Sequence, residues 1–434
     1  MQSFVKRQRA QQAAAVVGVD AGKFKHALIV RPRGGRDSRP FEFPTTRLGF
    51  DEAAARILTA TRALVPDAMP ADVLVGIEFA GSYGFTFAHY LHHLGFQIIN
   101  VLPSDTKRWK EVMHHQALKT DSKDALGITD LASQGHFVSF AFLEAAYAEL
   151  RYLVSTRERF SMQRRAAITR LTSTLELVFP EFESLFAQIQ KPTPLAILEA
   201  FPGPAALRAA PKRKVLAVLK KASRNHLGAD TYDRLMTAAE ATLGLPLAQG
   251  APSRELPLLV AQIRMFEAHL KQVEAEMVAV LRQLPEAKYL LTIPGVAEVT
   301  AATFLGCVGD VRVYESSKQI LRLAGLSLVE ASSGTRKGRE RISKRGRPVL
   351  RRYAYLLALR CVQKSGFFRK EFEAMVERNG GVKIKALAAL SRDVLRILFT
   401  VARERRDFVL VHVPADMRRA ALPASTAGDA EPTA

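Results

Sequence analysis

Cysteine, tryptophan and long apolar runs are what this chain has least of. Two cysteines in 434 residues, Cys307 and Cys361, cannot make a disulfide framework, and neither lies at a zinc-type spacing. No apolar run approaches the ~18 residues needed to cross a bilayer, which speaks against a membrane-spanning role. The N-terminus, MQSFVKRQRAQQAAAVVGVD, starts basic, but its short apolar run ends at Asp20, without the core or cleavage site of a signal peptide. A reducing, cytoplasmic location is expected. Acid is also scarce: 42 Asp and Glu against 63 Lys and Arg leave a net charge of +21 and a pI near 10.1. An excess of that size calls for a polyanionic partner, nucleic acid ahead of an anionic membrane surface.

The first 135 or so residues alternate strand and helix signals. Strands are expected at AAAVVGVD (13–20), HALIV (26–30), FEFPTT (41–46), DVLVGIEFAG (72–81) and QIINVL (97–102), with helices over 49–65, 85–94 and from Ser104 onward. Three antiparallel-capable strands followed by alternating helices and strands make an α/β pattern. From about residue 140 the strand signals stop. Residues 141–179 have helical apolar spacing around Arg157, Arg159, Arg164, Arg165 and Arg170. Short helices follow, with a basic stretch at 211–226. Leu259, Ile263, Phe266, Leu270, Val273, Met277, Val280 and Leu284 then step 4-3-4-3-4-3-4, a sustained heptad seam. Either a long antiparallel arm, used for dimerisation, or an intramolecular bundle core fits it. LLTIPGVAEVT (290–300) resembles a helix-hairpin-helix turn, whose glycine lets backbone N–H groups approach a phosphate. The last residues, 420–434, are small, polar and expected to be disordered.

Four acids stand out in a chain so short of them. Asp20 ends the first strand, Glu78 lies near the end of the fourth, and Asp121 and Asp124 open the helix in KTDSKDALGITDLA. On a helix the last two share a face one turn apart and repel each other. If the sheet forms as read, the two strand ends neighbour one another and the helix brings its aspartates to the same edge. Converging carboxylates raise one another's pKa, and magnesium, a hard cation preferring oxygen, removes the conflict. Two such ions about 3.5–4 Å apart can clamp the attacking and leaving oxygens of a phosphodiester exchange. Taken singly, each acid is as well read as a turn former or helix cap. His89, His92 and His93 share a helix face, but no carboxylate is close in sequence, and an amphipathic helix edge is the better reading than zinc.

The densest functional signal lies between Leu321 and Arg360. From Thr335 to Arg360 there are ten Lys and Arg against one acid, Glu340. Glycines 334, 338 and 346 make the first part a loop or ribbon, and PVLRRYAYLLALR returns to a helix with a basic face. This is a composition for gripping a phosphate backbone, with Gly334, Arg336, Lys337, Arg339, Arg341, Lys344, Arg345, Arg347, Arg351 and Arg352 as the candidate contacts. With the stretch at 211–226, it should make nucleic-acid binding strongly salt-dependent. Ser332 and Ser333 stand at the mouth of the loop. A serine hydroxyl attacks only when it is activated and its target made electrophilic, which clustered guanidinium groups and a metal can do. By composition alone, SSG is a turn.

Taken in order, VGVD, GIEFAGSYG, KTDSKDA, a helical insert, LLTIPGV, AGLSL and SSGTRKGRERISKRGRPVLRR resemble the one-ten family of DEDD insertion-sequence transposases, the bridge-RNA-guided serine recombinases. The resemblance runs from about Val16 to Phe408. It implies a bacterial, cytoplasmic protein with a RuvC-like (RNase H fold) DEDD domain at 1–138, a helical coiled-coil region at 139–286, a C-terminal transposase domain at 287–415 and a disordered tail at 416–434. It implies Asp20, Glu78, Asp121 and Asp124 as the Mg2+ ligands and Ser333, before Gly334, as the nucleophile. It further implies a composite site between subunits of a dimer or tetramer, donor and target DNA as substrates, and a structured guide RNA that reads sequence by base pairing. Two departures are visible. Lys344-Arg345-Gly346-Arg347 has Arg where the family pattern has Asn, and the doubled serine leaves Ser332 in competition with Ser333. A RuvC-like nuclease using water, or a non-catalytic nucleic-acid-binding protein, are the other two function classes. Four carboxylates facing phosphate oppose the last unless a metal reverses the local sign.

Overall fold

In AVVGVDA (Ala15–Ala21, β1) every residue through Val19 is buried, so both faces of the strand are covered. The computed structural model describes residues 2–79, 83–113, 121–140, 142–329 and 341–409, and falls into two units, 1–142 and 143–434. In the first unit, Gln2–Gln12 (α1) precedes β1. Lys25–Pro32 (β2), Phe41–Pro44 (β3), Arg47–Arg62 (α2) and Val73–Glu78 (β4) follow. Then come Phe85–His93 (α3), Gln97–Val101 (β5), Pro103–Met113 (α4), Asp121–Ser133 (α5) and Val138–Ser139 (β6). They build a six-stranded sheet in the order β3-β2-β1-β4-β5-β6. The three central strands β1, β4 and β5 are parallel, while β2, β3 and β6 run antiparallel to their neighbours.

The expected α/β alternation is what the first unit shows. Two elements had no signal. Helix α1 has only Phe4 and Val5 as large apolar residues, both exposed, and is held by tertiary bonds, Lys6 Nζ to Phe137 O at 2.5 Å and Arg9 Nη2 to Gln97 Oε1 at 2.6 Å. Strand β6 has only two residues, too few for any period to appear. Elsewhere local chemistry decides. Thr46 Oγ1 accepts from Gly49 N at 3.1 Å and caps α2. One face of the sheet carries α2 and α3 over a cluster with Phe43, Phe50, Ile57 and Phe87. The other face carries α5, and glycine lets it in. A Cβ on Gly18 would stand 2.3 Å from Thr129 Oγ1 and 2.4 Å from Ala125 O; one on Gly76 would meet Ala132 Cβ at 3.3 Å.

In the second unit two long helices, Ala145–Val178 (α6) and Ala251–Leu281 (α12), run antiparallel. Their cross-links descend along one and ascend along the other: Arg157 with Glu274, Arg164 with Glu267, Thr174 with Glu255. Five helices lie between them in sequence: Phe182–Leu185 (α7), Pro192–Ala200 (α8), Pro204–Ala209 (α9), Lys212–Ser223 (α10) and Ala229–Glu240 (α11). After α12 come Ala287–Leu290 (α13), Glu298–Val308 (α14), Ser317–Ala324 (α15), Leu328–Val329 (β7) and Arg341–Ile342 (β8). Pro348–Lys364 (α16), Gly366–Arg378 (α17) and Lys383–Glu404 (α18) complete the unit. The pair α6/α12 enters two separate cores. Leu171 and Leu175 of α6 meet Leu259 and Ile263 of α12 in one; Leu150 and Val154 meet Met277 and Val280 in the other. The heptad seam of α12 is therefore filled by α6 of the same chain, the intramolecular occupant of the two the pattern allowed. Buried around its circumference from Thr300 to Val308, α14 is the central helix of the second core. Among the described residues no helix is long and apolar enough to cross a membrane. The tail at 416–434, expected to be disordered, lies outside the described residues.

Two predictions follow from the first unit's packing. Gly18→Ala drives a methyl into the backbone of α5 and should lower stability by about 1–3 kcal/mol, read by urea denaturation. His26 is buried among Phe43, Phe50 and Phe87; its Nε2 stands 3.0 Å from Thr45 Oγ1, and Nδ1 has no hydrogen-bond partner among the described residues. Burial holds its pKa below the ordinary histidine value. The unfolded chain then takes up this proton first, at about pH 6.5, so stability is full above that pH and falls as pH drops through it. Urea midpoints between pH 8 and pH 5 should decline less for His26→Phe than for the wild type. Equal declines would assign the effect elsewhere.

Candidate functional site

Register brings the first two acids together. Val19 pairs with Ile77, so the residues that follow, Asp20 and Glu78, stand side by side at the carboxyl ends of parallel β1 and β4. Their direction follows from the strand period of two. Gly18 and Gly76 both face α5, so Asp20 and Glu78 belong to that face as well. The polarity of α5 supplies the rest. Near its carboxyl end, Asp130 and Ser133 accept from Arg31 at 2.8 and 3.3 Å, and Arg31 pairs with Val16 near the start of β1. Near its amino end, Ala125 packs on Ala27, the strand partner of Asp20. The N-terminal turn of α5, with Asp121 and Asp124, thus lies toward the ends of β1 and β4. By backbone placement all four acids share one edge.

Three of the four side chains are described. Asp20, Glu78 and Asp124 are of intermediate exposure, and the side chain of Asp121 lies outside the described residues. Among the described residues, no three His, Cys, Asp or Glu side chains stand close enough to hold a metal ion. What Asp124 does hold is Lys110, whose Nζ is 2.8 Å from its Oδ2. Lys110 is the residue sequence reading missed. It arrives because α4 docks on α5 through Trp109, whose ring fills the space a Cβ on Gly127 would need, at 2.6 Å. Nothing in PSDTKRWKEVM distinguishes Lys110 from Lys107, which pairs with Glu111 at i,i+4. The histidines of α3 pack on aromatic neighbours: His92 stacks on Phe142 at 4.4 Å, and His89 touches His93 at 3.1 Å.

The basic stretch of the second unit is a ribbon. β7 pairs antiparallel with β8, and the connection between them, 330–340, lies outside the described residues; it contains Ser332, Ser333, Gly334, Arg336, Lys337 and Arg339. The exit of the ribbon is tied to its entry. Ser343 N donates to Ser327 O at 2.8 Å, Lys344 N to Gly325 O at 2.9 Å and Arg347 N to Leu323 O at 2.7 Å. Gly346 is needed there: its φ is +151°, and a Cβ would lie 2.5 Å from Gly325 N.

The remaining cations divide into two groups. Arg347 Nη1 donates to Cys307 O at the end of α14, where the helix dipole is negative, and half-buried Arg151 joins it through Gly306 O at 3.2 Å. Burial and the adjacent Arg347 push Arg151 down to about 10. Arg351 donates to Ala324 O at 3.0 Å and Lys344 O at 3.2 Å, and Arg352 grips the carboxylate of Glu158. These three arginines, read from sequence as phosphate contacts, are engaged within the chain. Arg341, Lys344 and Arg345 are exposed.

The helix-hairpin-helix-like turn is present between α13 and α14, with Gly295 at φ +93°. Its glycine serves an internal contact: a Cβ would stand 3.0 Å from Cys361 N on α16, and Cys361 Sγ donates to Pro294 O at 3.1 Å. Both cysteines belong to this core. Burial pushes the Cys307 thiol up to about 11 and that of Cys361 up to about 12, so both stay protonated. Beside the turn, α6 and α16 border a groove of about 720 Å3 lined in part by Arg157, Arg165, Arg352 and Arg360.

Comparison with known families joins the two sites. A family model described as a transposase (the DEDD type of IS110) matches residues 17–180, and a second, described as the transposase family of IS116, IS110 and IS902, matches 287–373. The chain belongs to the IS110/IS116 transposase family. The first match holds all four acids and the second the ribbon with both serines. A protein of insertion element IS110 from Streptomyces coelicolor is 26% identical over 421 residues, covering 95% of this chain and 99% of the relative. One from insertion element IS900 of Mycobacterium paratuberculosis is 25% identical over 391 residues, 89% and 95% of the two chains. A pilin gene-inverting protein of Moraxella lacunata is 26% identical over 153 residues, 34% of this chain and 47% of the relative. As a member of this transposase family the chain is a DNA transposase or recombinase.

The sorting of the ribbon's cations is testable. Arg351→Ala removes two charge-assisted bonds and should destabilise the second unit by about 1.5–3 kcal/mol, seen as a lower thermal midpoint. Arg345→Ala should leave the midpoint unchanged and weaken nucleic-acid binding. Equal midpoints for the two variants would contradict the division.

Proposed function

We propose that the chain is an RNA-guided DNA recombinase that exchanges strands through a serine-linked intermediate, with a RuvC-like domain over 1–138 supplying the acids and the region over 287–415 the nucleophile. The observation that carries this is the register of β1 and β4, which puts Asp20 and Glu78 side by side at the edge faced by the N-terminal turn of α5. The donor set is all carboxylate oxygen, the chemistry that suits a hard divalent cation such as Mg2+. Asp20, Glu78, Asp121 and Asp124 are the residues that would hold it, and when bound it would stabilise charge on the oxygens around the phosphorus.

The serine step balances simply. The Ser333 hydroxyl oxygen bonds to phosphorus, a bridging P–O bond breaks, and the departing strand oxygen takes up a proton. A strand hydroxyl from the second DNA then attacks the same phosphorus, and Ser333 leaves with its proton restored. One phosphodiester is exchanged for another with no external energy source. The exposed Arg341, Lys344 and Arg345, which follow the serines in sequence, hold the phosphate backbone. The name of the Moraxella relative, a gene inverter, describes a DNA rearrangement and agrees with cutting and rejoining. RNA guidance, like the meeting of acids from one subunit with the serine of another in a dimer or tetramer, rests on the family resemblance and on the net charge of +21.

The experiment is a denaturing gel for covalent protein–DNA adducts with Mg2+ and the RNA encoded beside the gene. Ser333→Ala should abolish the adduct. Asp20→Asn should reduce it by at least about 100-fold, the scale of losing one preorganised electrostatic contact. If Ser333→Ala and Ser332→Ala each leave the adduct intact, the serine mechanism is wrong. Cleavage that needs Mg2+ but never yields an adduct would instead establish the water-using nuclease.

A further inference from the structure

Residues 181–286 lie between the two family matches, and a concentrated run of exposed positive charge sits there, on α10. The helix, KRKVLAVLKKAS, buries Val215 and Leu219 completely against the core shared by α6, α8 and α12, which fixes the face it turns outward. That face carries Arg213, Lys214, Lys220 and Lys221, all exposed and all without an acidic partner among the described residues. Lys212 differs: it pairs with Asp233 at 3.6 Å and lies over the Tyr232 ring at 4.8 Å. Along α6 and α12, by contrast, Arg157, Arg164 and Arg264 each hold a glutamate.

Helix stability explains only half of this pattern. Lys220 and Lys221 are in the last turn, where the macrodipole welcomes cations. Lys212, Arg213 and Lys214 are in the first turn, where the dipole opposes them. Lys212 is met by Asp233, whereas Arg213 and Lys214, at the disfavoured end and facing solvent, are left for a partner outside the chain.

The spacing specifies the partner further. Seven residues make nearly two turns, so Arg213 and Lys220 form one row and Lys214 and Lys221 a second, each spanning about 10.5 Å along the axis. Between the rows lies the exposed Ala217, small enough for close approach. Beside it is a shallow hollow of about 530 Å3 bordered by Arg213, Leu216, Ala217 and Lys220. Two cationic rows flanking a narrow neutral centre match two phosphate backbones flanking a groove. The B-DNA major groove, ≈ 12 Å wide, admits a helix, whereas the deep groove of A-form RNA is too narrow. The centre offers only Ala217, which carries no hydrogen-bonding side chain, so base sequence is not read there.

We propose that α10 is a sequence-independent docking helix for duplex DNA, laid along the major groove with Arg213, Lys214, Lys220 and Lys221 on the bordering phosphates. The proposal deepens the recombinase reading by naming the element that holds DNA outside the cleaving domains. The test is equilibrium binding of the full chain to a 30-base-pair duplex of arbitrary sequence, by fluorescence anisotropy over a range of salt. Replacing all four cations by Gln should reduce the slope of log affinity against log salt by about 3 to 4, at about 0.9 per lost phosphate contact. Binding at moderate salt should fall at least tenfold, and equally for an unrelated duplex. Ala217→Glu, on the exposed centre, should weaken duplex binding while the thermal midpoint stays at the wild-type value, which separates docking from misfolding. An RNA duplex of the same length should lose no more than one unit of slope. An unchanged DNA slope, an equal loss on duplex RNA, or undiminished binding by Ala217→Glu would each overturn the proposal. Since no strand is cut in this assay, failure of the serine mechanism would leave the result standing.

Discussion

Glu158 sits almost fully buried on α6 with its carboxylate gripped by Arg352 of α16, and Arg157 4.0 Å away. A carboxylate withdrawn from water is tolerable only with such partners, and removing one is costly because the other charge is then stranded. The same constraint recurs through the second unit. Glu286, fully buried, takes Arg405 at 2.8 Å and the hydroxyl of Tyr147 at 3.2 Å. The carbonyls that end α14 take Arg151 and Arg347. In a chain with so many spare cations, buried negative charge decides which of them become structural. Those left over mark where an outside anion is expected.

This sorting is also where sequence and structure part company. The placement of Asp20 and Glu78 was legible because each falls where an apolar run ends, and a parallel register of two such runs leaves little freedom in where their ends go. Of the glycines that marked the ribbon in the sequence, Gly346 is the one described, and with Gly325 it brings entry and exit within backbone contact. Which arginines of the ribbon face outward was not legible. Arg347, Arg351 and Arg352 look like any others in RGRPVLRR, and what captures them lies 27 to 194 residues away, at Ala324, Cys307 and Glu158. The heptad of α12 announced a helical partner without saying whose, since a seam of that period fits an intramolecular or intermolecular helix equally well. The IPGV turn was recognised, but its glycine turned out to be pressed on α16, a packing role that the four letters do not separate from a phosphate-facing one.

Lys110 shows how a charge can reach a site with no local cue at all. Its position depends on an aromatic ring, Trp109, filling the gap left by Gly127, and only then does the next residue meet Asp124. On the proposed reading, a divalent cation held by Asp20, Glu78, Asp121 and Asp124 would compete with this ammonium for Asp124 Oδ2. A metal in place would leave Lys110 to meet another anion, and the added positive charge would reverse the local sign that four carboxylates otherwise present to a polyanion.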